Sequence, residues 1–260
     1  MLALLLAGLG ARSQASLWTL TDADSSVRVD DVLGRAYDWT VGGVNQLNQQ
    51  WFYYRPATTG AEFGIESISA PTSVLTGSTV LNTTYANASI SVQVKFSLID
   101  SATPGTSGFN QDVTIINLSG ASMNLSFFQY SDYNLGGDAF DNNVLMTKIG
   151  GKYGKAVQTD GSWRLTETVT GIGTTVNAEA ALFNQTLASL TDGSTTTLNN
   201  VDNAGSGDLT YAFQWNKTLA AGATLQVSKL QLIEVVPEPS SMALGLLGAA
   251  ALVGIRKRHL

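Results

Sequence analysis

The 260-residue chain predicts an all-β protein: a large antiparallel β-sandwich, of the ordinary or the enlarged kind, with at most one short helix and a C-terminal transmembrane helix. Three observations carry this expectation. Apolar and polar residues alternate strictly in several segments, the signature of strands with one dry and one wet face. Glycines recur at turn-like intervals between those segments. Near the C-terminus the alternation gives way to an unbroken apolar run, Met242 to Ile255.

Residues 1–15 read as a signal peptide. Leu2, Ala3, Leu4, Leu5, Leu6, Ala7 and Leu9 form a short apolar region, and Ser13-Gln14-Ala15 before Ser16 fits a small-x-small cleavage site. The basic residues that usually precede such a region are missing, which points to a misplaced start or a truncated chain. Residues 16–235 then form the body, expected to be one β-sandwich, because no repeat and no Pro-rich linker divides it.

Within the body, Ile90, Val92, Val94, Phe96 and Leu98 point one way while Ser91, Gln93, Lys95 and Ser97 point the other. Met123, Leu125 and Phe127 repeat the pattern, as do Leu209, Tyr211, Phe213 and Trp215. Leu225 and Val227 share one parity but Leu230 and Leu232 have the other, so the last strand is expected to carry a bulge near Ser228 and Lys229. The turn Ala220-Ala221-Gly222 predicts an antiparallel hairpin between 213–217 and 224–235. Leu182, Phe183, Thr186, Leu187 and Leu190 fall on one helical face, with Asn177 and Glu179 serving the first turn.

Composition excludes several chemistries. The chain has no cysteine, and its one histidine, His259, sits in the C-terminal tail, so the body lacks a Ser-His-Asp triad, a Cys-His pair and an ordinary zinc site. Removing both ends leaves ten basic and nineteen acidic residues, a charge near −9. An acidic surface argues against nucleic acid as a partner.

Carbohydrate and calcium chemistry stay open. Trp51, Phe52, Tyr53, Tyr54 and Arg55 form the most aromatic run, and on a strand Trp51, Tyr53 and Arg55 share a face. Rings stacking on sugar faces, with Arg55 bonding hydroxyls, would make a carbohydrate platform; the same strand buried on both faces would be core. Asp132, Asn134, Asp138 and Asp141 offer hard oxygen ligands of the kind calcium takes, and equally suit a long turn. No other cofactor is expected. Glu62, Glu66, Glu167 and Glu179 are the carboxylates available to a glycosidase-type pair.

The tail, residues 236–260, has three parts. Pro237, Glu238 and Pro239 hold an extended stalk, since proline lacks an amide donor and restrains the residue before it. The fourteen residues 242–255 would span ~21 Å as a helix, short against a hydrocarbon core of about 30 Å. Arg256, Lys257 and Arg258 form a cytoplasmic basic stop, so the body faces outward.

This Pro-Glu-Pro, apolar, basic order resembles the PEP-CTERM sorting signal of exported bacterial proteins, here attached to a β-rich body. The resemblance implies exosortase as partner, a transient stay in the inner membrane, removal of the tail, and delivery to the cell surface or extracellular matrix. It also implies a link to exopolysaccharide and biofilm. The expected role is a structural or surface component, more a non-enzyme than an enzyme; the alternatives are a carbohydrate-binding module and a carboxylate-based carbohydrate-active enzyme.

Overall fold

The structure, a computed structural model, describes residues 17–171 and 175–236. The expected signal peptide, the sorting residues Pro237, Glu238 and Pro239, the span 242–255 and the stop Arg256, Lys257 and Arg258 lie outside the described residues. Among the described residues no helix is long and apolar enough to cross a membrane.

The body is built of β-strands in two large antiparallel sheets, as the alternation requires. In chain order the strands are β1 (Leu17–Asp22), β2 (Ser25–Asp30), β3 (Arg35–Val41), β4 (Val44–Asn45), β5 (Leu47–Arg55), β6 (Phe63–Gly64), β7 (Thr72–Thr76), β8 (Val80–Ala86) and β9 (Ile90–Asp100). They continue with β10 (Ser107–Asn117), β11 (Met123–Tyr133), β12 (Asn142–Ile149), β13 (Lys152–Asp160), β14 (Trp163–Gly171), β15 (Thr175–Leu182), β16 (Ser206–Gly207), β17 (Leu209–Leu219) and β18 (Thr224–Val235). Among the described residues one α-helix, α1 (Gln185–Thr191), joins them.

The first sheet runs β1-β2-β3-β5-β11-β17-β15, with β4 against β3 and β6 against β5; the second runs β16-β12-β13-β14-β18-β10-β9-β8-β7. The main core fills the space between them. Phe52, Phe127, Phe213 and Trp215 enter it from the first sheet, Phe96, Phe109, Val113 and Ile233 from the second. Strand parity decides this: Phe52 and Tyr54 alternate with Trp51, Tyr53 and Arg55, so β5 sends one set inward and the other to the outer face. Aromatic rings interlock across the middle, with Phe127 5.9 Å from Trp215 and Phe52 stacked on Phe127 at 5.6 Å.

Three local expectations are corrected. β18 carries no bulge: it stays in register with β10 and β14 throughout, so Lys229 and Gln231 point inward while Leu230 and Leu232 face out. Polar side chains can occupy the interior there because buried partners meet them, and the parity switch read from leucines alone was misleading. The hairpin 213–217/224–235 does not form either. β17 belongs to the first sheet and β18 to the second, so the turn at Ala220 to Gly222 carries the chain across the sandwich and lets both strands bury residues in one core. The helix starts after Asn184, and Asn177 and Glu179 belong to β15.

Candidate functional site

The outer face of the first sheet is where side chains of chemical interest gather. β5, β11, β17 and β15 lie side by side, and their register puts Trp51, Tyr53 and Arg55 beside Tyr130, Phe128 and Ser126, with Ala212, Gln214 and Asn216 next. Part of this face is covered. α1 and the segment after it pack Leu190 and Leu198 onto Tyr53, Phe128, Tyr130 and Ala212, making a second, smaller core with Trp51 and Leu187 at its margin. A face covered by a helix buries apolar rings at the middle and leaves its polar border open.

Trp51 and Tyr53 are stacked on each other at 5.9 Å. Tyr53 is buried within the small core, and burial pushes its phenol far above the ordinary range. Trp51 is half-buried, with the Arg35 guanidinium 5.6 Å from its ring. Phe52, Tyr53, Tyr54 and Arg55 are thus buried, while Trp51 stays half-buried at the margin of the small core.

Arg55 ends that stripe and is held from several directions. It is ion-paired with Glu62, donates from Nη1 to the Thr196 carbonyl at 3.0 Å and from Nη2 to Ser126 Oγ at 3.1 Å, and lies over the Phe128 ring. Ser126 Oγ donates onward to Asn216 Oδ1 at 2.8 Å, which also accepts from Gln214 Nε2 at 2.9 Å. These groups floor an open cavity of about 370 Å³ whose rim adds Thr58, Asn124, Thr197, Lys217 and Thr218. Thr218 Oγ1 donates to Asn124 Oδ1 at 2.7 Å across the rim. A second hollow of about 490 Å³ shares Ala57, Thr58 and Asn124 and continues over Ser89, Ser119 and Ser122. Together they form a shallow groove of hydroxyl and amide groups.

The acidic residues of the loop have different partners. Asp132 is buried on the outer face, where Asn48 Nδ2 and Gln49 Nε2 donate to its Oδ2 at 2.8 and 3.3 Å. Desolvation pushes its carboxyl up to about 6, partly offset by those two donors, with Asp208 adding a smaller rise. Asp138 and Asp141 lie close enough to Asp160 to help raise its pKa, after desolvation. Asp138 Oδ1 accepts the Phe140 amide at 2.9 Å, a turn contact. Asn134 gives its amide to the Gln46 carbonyl. Among the described residues no three His, Cys, Asp or Glu side chains gather as a metal cage would.

The four glutamates are dispersed. Glu62 pairs with Arg55, Glu167 sits between the sheets, Glu66 lies in the turn Ile65–Ser67, and Glu179 accepts Thr186 Oγ1 and the Asn199 amide beneath α1. The groove residues Ser126, Gln214 and Asn216 escaped sequence reading. They are ordinary strand residues, and only their register beside Arg55 makes them a set.

Fold and groove thus define an enlarged antiparallel β-sandwich with an open polar groove at the border of its outer face. Residues 235–258 match the PEP-CTERM protein-sorting motif, which marks the chain for export-linked sorting, C-terminal anchoring and processing by an exosortase. No curated protein matches the sequence. Among solved structures, a bacterial glucoamylase complexed with acarbose is similar over 91% of this chain, at 9% identity and a TM-score of 0.61; the chain spans 36% of that protein's length. A galactose mutarotase-like protein from Lactobacillus casei ATCC 334 is similar over 84% of this chain and all of its own, at 10% identity and a TM-score of 0.54. A putative aldose 1-epimerase from Escherichia coli K12 is similar over 86% of this chain and all of its own, at 8% identity and a TM-score of 0.53. At such identities the likeness is one of fold.

Proposed function

We propose that the protein is an exported component of the cell surface or extracellular matrix whose β-sandwich holds exopolysaccharide, without transforming it, along the groove beside Arg55. The observation that supports this most is the groove's lining: Ser126, Gln214 and Asn216 form one hydrogen-bonded row, buttressed by a guanidinium that is already fixed by Glu62. Pre-positioned amides and hydroxyls lose little freedom when a sugar hydroxyl binds, and shallow open grooves suit a chain. Structures of similar fold include a glucoamylase complexed with acarbose and a galactose mutarotase-like protein, which makes a carbohydrate a reasonable ligand class. The tail delivers the body to where such polymers lie, through exosortase at the inner membrane. Calcium bridging by the loop at Asp138 and Asp141 belongs to this proposal as an accessory, testable with EDTA.

Two measurements test it. Deleting residues 237–260 should release the protein from the cell surface; unchanged surface retention would defeat the sorting claim. A glycan array should give binding that Asn216→Ala and Asn124→Ala weaken while Trp51→Ala, at the other end of the stripe, preserves it. Wild-type protein that binds no glycan, with or without calcium, would remove the carbohydrate reading.

A further inference from the structure

Lys229 is the one charged amine sealed between the two sheets among the described residues, and its surroundings are those of a reaction rather than of a simple ion pair. Its side chain has no solvent exposure, nor has that of Glu167, whose Oε1 lies 3.4 Å from Nζ. Directly across the β10/β18 ladder stands Gln111, its register partner. Nζ donates to Gln111 Oε1 at 2.9 Å, so the amide carbon Cδ is one covalent bond beyond the atom the amine already touches. Phe52 closes the site from the first sheet, its ring centroid 5.4 Å from Nζ.

The orientation of the Gln111 amide follows from its neighbours. Gln50 Nε2 donates to Ser131 Oγ at 2.8 Å, which leaves Gln50 Oε1 to accept, and it accepts from Gln111 Nε2. Gln111 must then present its oxygen to Lys229. Glu167 is oriented as firmly: its Oε2 accepts from Tyr211 Oη and from Gln231 Nε2, both at 2.7 Å, and this turns Oε1 toward Nζ.

We propose that Lys229 and Gln111 are joined by an intramolecular isopeptide bond, formed autocatalytically with Glu167 as the proton carrier. Glu167 takes a proton from the ammonium, and the freed amine lone pair attacks Cδ of Gln111 to form the Nζ–Cδ bond. The carbonyl electron pair moves onto Oε1. Glu167 transfers a proton from Nζ to Nε2, and as the carbonyl re-forms the Cδ–Nε2 bond breaks with its electrons on nitrogen. Ammonia leaves, takes the remaining proton and departs as ammonium. The products are one secondary amide and one ammonium ion; no oxidant, water or cofactor is consumed, and Glu167 ends ionised as it began.

Burial also favours the nucleophile. Desolvation lowers the Lys229 pKa to about 8, with Glu167 opposing the fall, so a share of neutral amine is present near neutrality. The location has a mechanical meaning for an exported chain without cysteine. β18 leads straight into the sorting motif at 235–258, so load on a C-terminal anchor is carried first by this strand. A covalent bond to β10 would prevent β18 from peeling away, as a disulfide would in other exported proteins. The proposal is independent of any ligand in the outer groove.

The test is peptide mass spectrometry of the full chain purified under non-reducing, neutral conditions and digested with trypsin. The expected product is peptide 96–148 joined to the peptide beginning at 218, lighter than the two together by one ammonia and uncut after Lys229. Glu167→Gln should abolish the joined peptide. Gln111→Met, which is similar in length but offers no carbonyl carbon to attack, should abolish it too, with circular dichroism confirming that each variant is folded. Folded wild-type protein that yields only linear peptides cleaved after Lys229, even after prolonged incubation at pH 8 to 9, overturns the proposal whatever the variants do.

Discussion

Arg55 and Glu62 form a buried ion pair that pins three pieces of chain together: the end of β5, the loop after it, and the segment that follows α1. Besides binding Glu62, the guanidinium donates to the carbonyls of Ala57 and Thr196, and Glu62 Oε1 in turn accepts the Thr196 amide at 3.0 Å. The cover over the outer face and the floor of the groove therefore share one anchor.

Breaking that anchor from one side should be costly. Glu62→Gln leaves a buried guanidinium without its counter-charge, a loss of about 3–5 kcal/mol by analogy with other buried pairs. The double variant Arg55→Met/Glu62→Leu, which removes both charges, should be destabilised by less than either single variant that leaves one charge unpaired, Glu62→Gln or Arg55→Met. Urea unfolding of the three proteins checks this ordering, and equal losses in all three would mean that desolvation is not the controlling term.

Asp132 sets a pH dependence of defined sign. Its folded pKa is raised to about 6 from an ordinary 3.8, because burial penalises the carboxylate, so the folded state binds its proton more tightly than the unfolded chain does. The associated stability is complete below pH 4 and is lost as pH rises through 6, a change of at most about 3 kcal/mol. Asp132→Asn should flatten the fall in thermal midpoint between pH 4 and 7 and raise the midpoint at pH 7. Glu66, Asp160 and Asp208 are also pushed up by burial, so the slope should shrink rather than vanish.

Gly34 cannot be replaced cheaply. Its φ of +63° is left-handed, and a Cβ there would meet Ile65 Cγ1 at 2.9 Å and Glu66 Oε2 at 3.1 Å. Gly34→Ala should cost on the order of 1–3 kcal/mol through backbone strain and overpacking. Gly43→Ala shares a positive φ of +81° but meets nothing within 4 Å, so the difference between the two variants in chemical unfolding isolates the packing part.

Trp215 belongs to the main core. It is fully buried against Phe127 and Phe213, both at 5.9 Å. Trp215→Ala should lose about 3–5 kcal/mol, whereas Leu230→Ala, on the exposed face of β18, should stay within about 0.5 kcal/mol. Had β18 carried the bulge its leucines suggested, Leu230 would face the core and the second substitution would be costly.

The strands of the sandwich were legible because their information is local: Ile90 to Leu98 and Leu209 to Trp215 alternate over neighbouring residues, and a two-residue period fixes which side chains share a face. The sorting motif was legible for the same reason, since Pro237-Glu238-Pro239, the apolar run and the basic stop are contiguous. Periodicity failed at Lys229 and Gln231. It assumes that polar means exposed, and the partners that make their burial tolerable, Gln111 and Glu167, lie 118 and 64 residues away.

By itself, then, the sequence determined an exported, cysteine-free β protein with a sorting tail, and which residues of each regular strand share a face. Tertiary structure alone decided which of those faces are covered. It sealed Tyr53 under α1, set Asp138 and Asp141 near Asp160, placed Ser126 and Asn216 beside Arg55, and brought Lys229, Gln111 and Glu167 together between the sheets. Each of these outcomes depends on strand order and on contacts distant in sequence, which are fixed only when the whole chain satisfies its buried polar groups and its apolar surface at once.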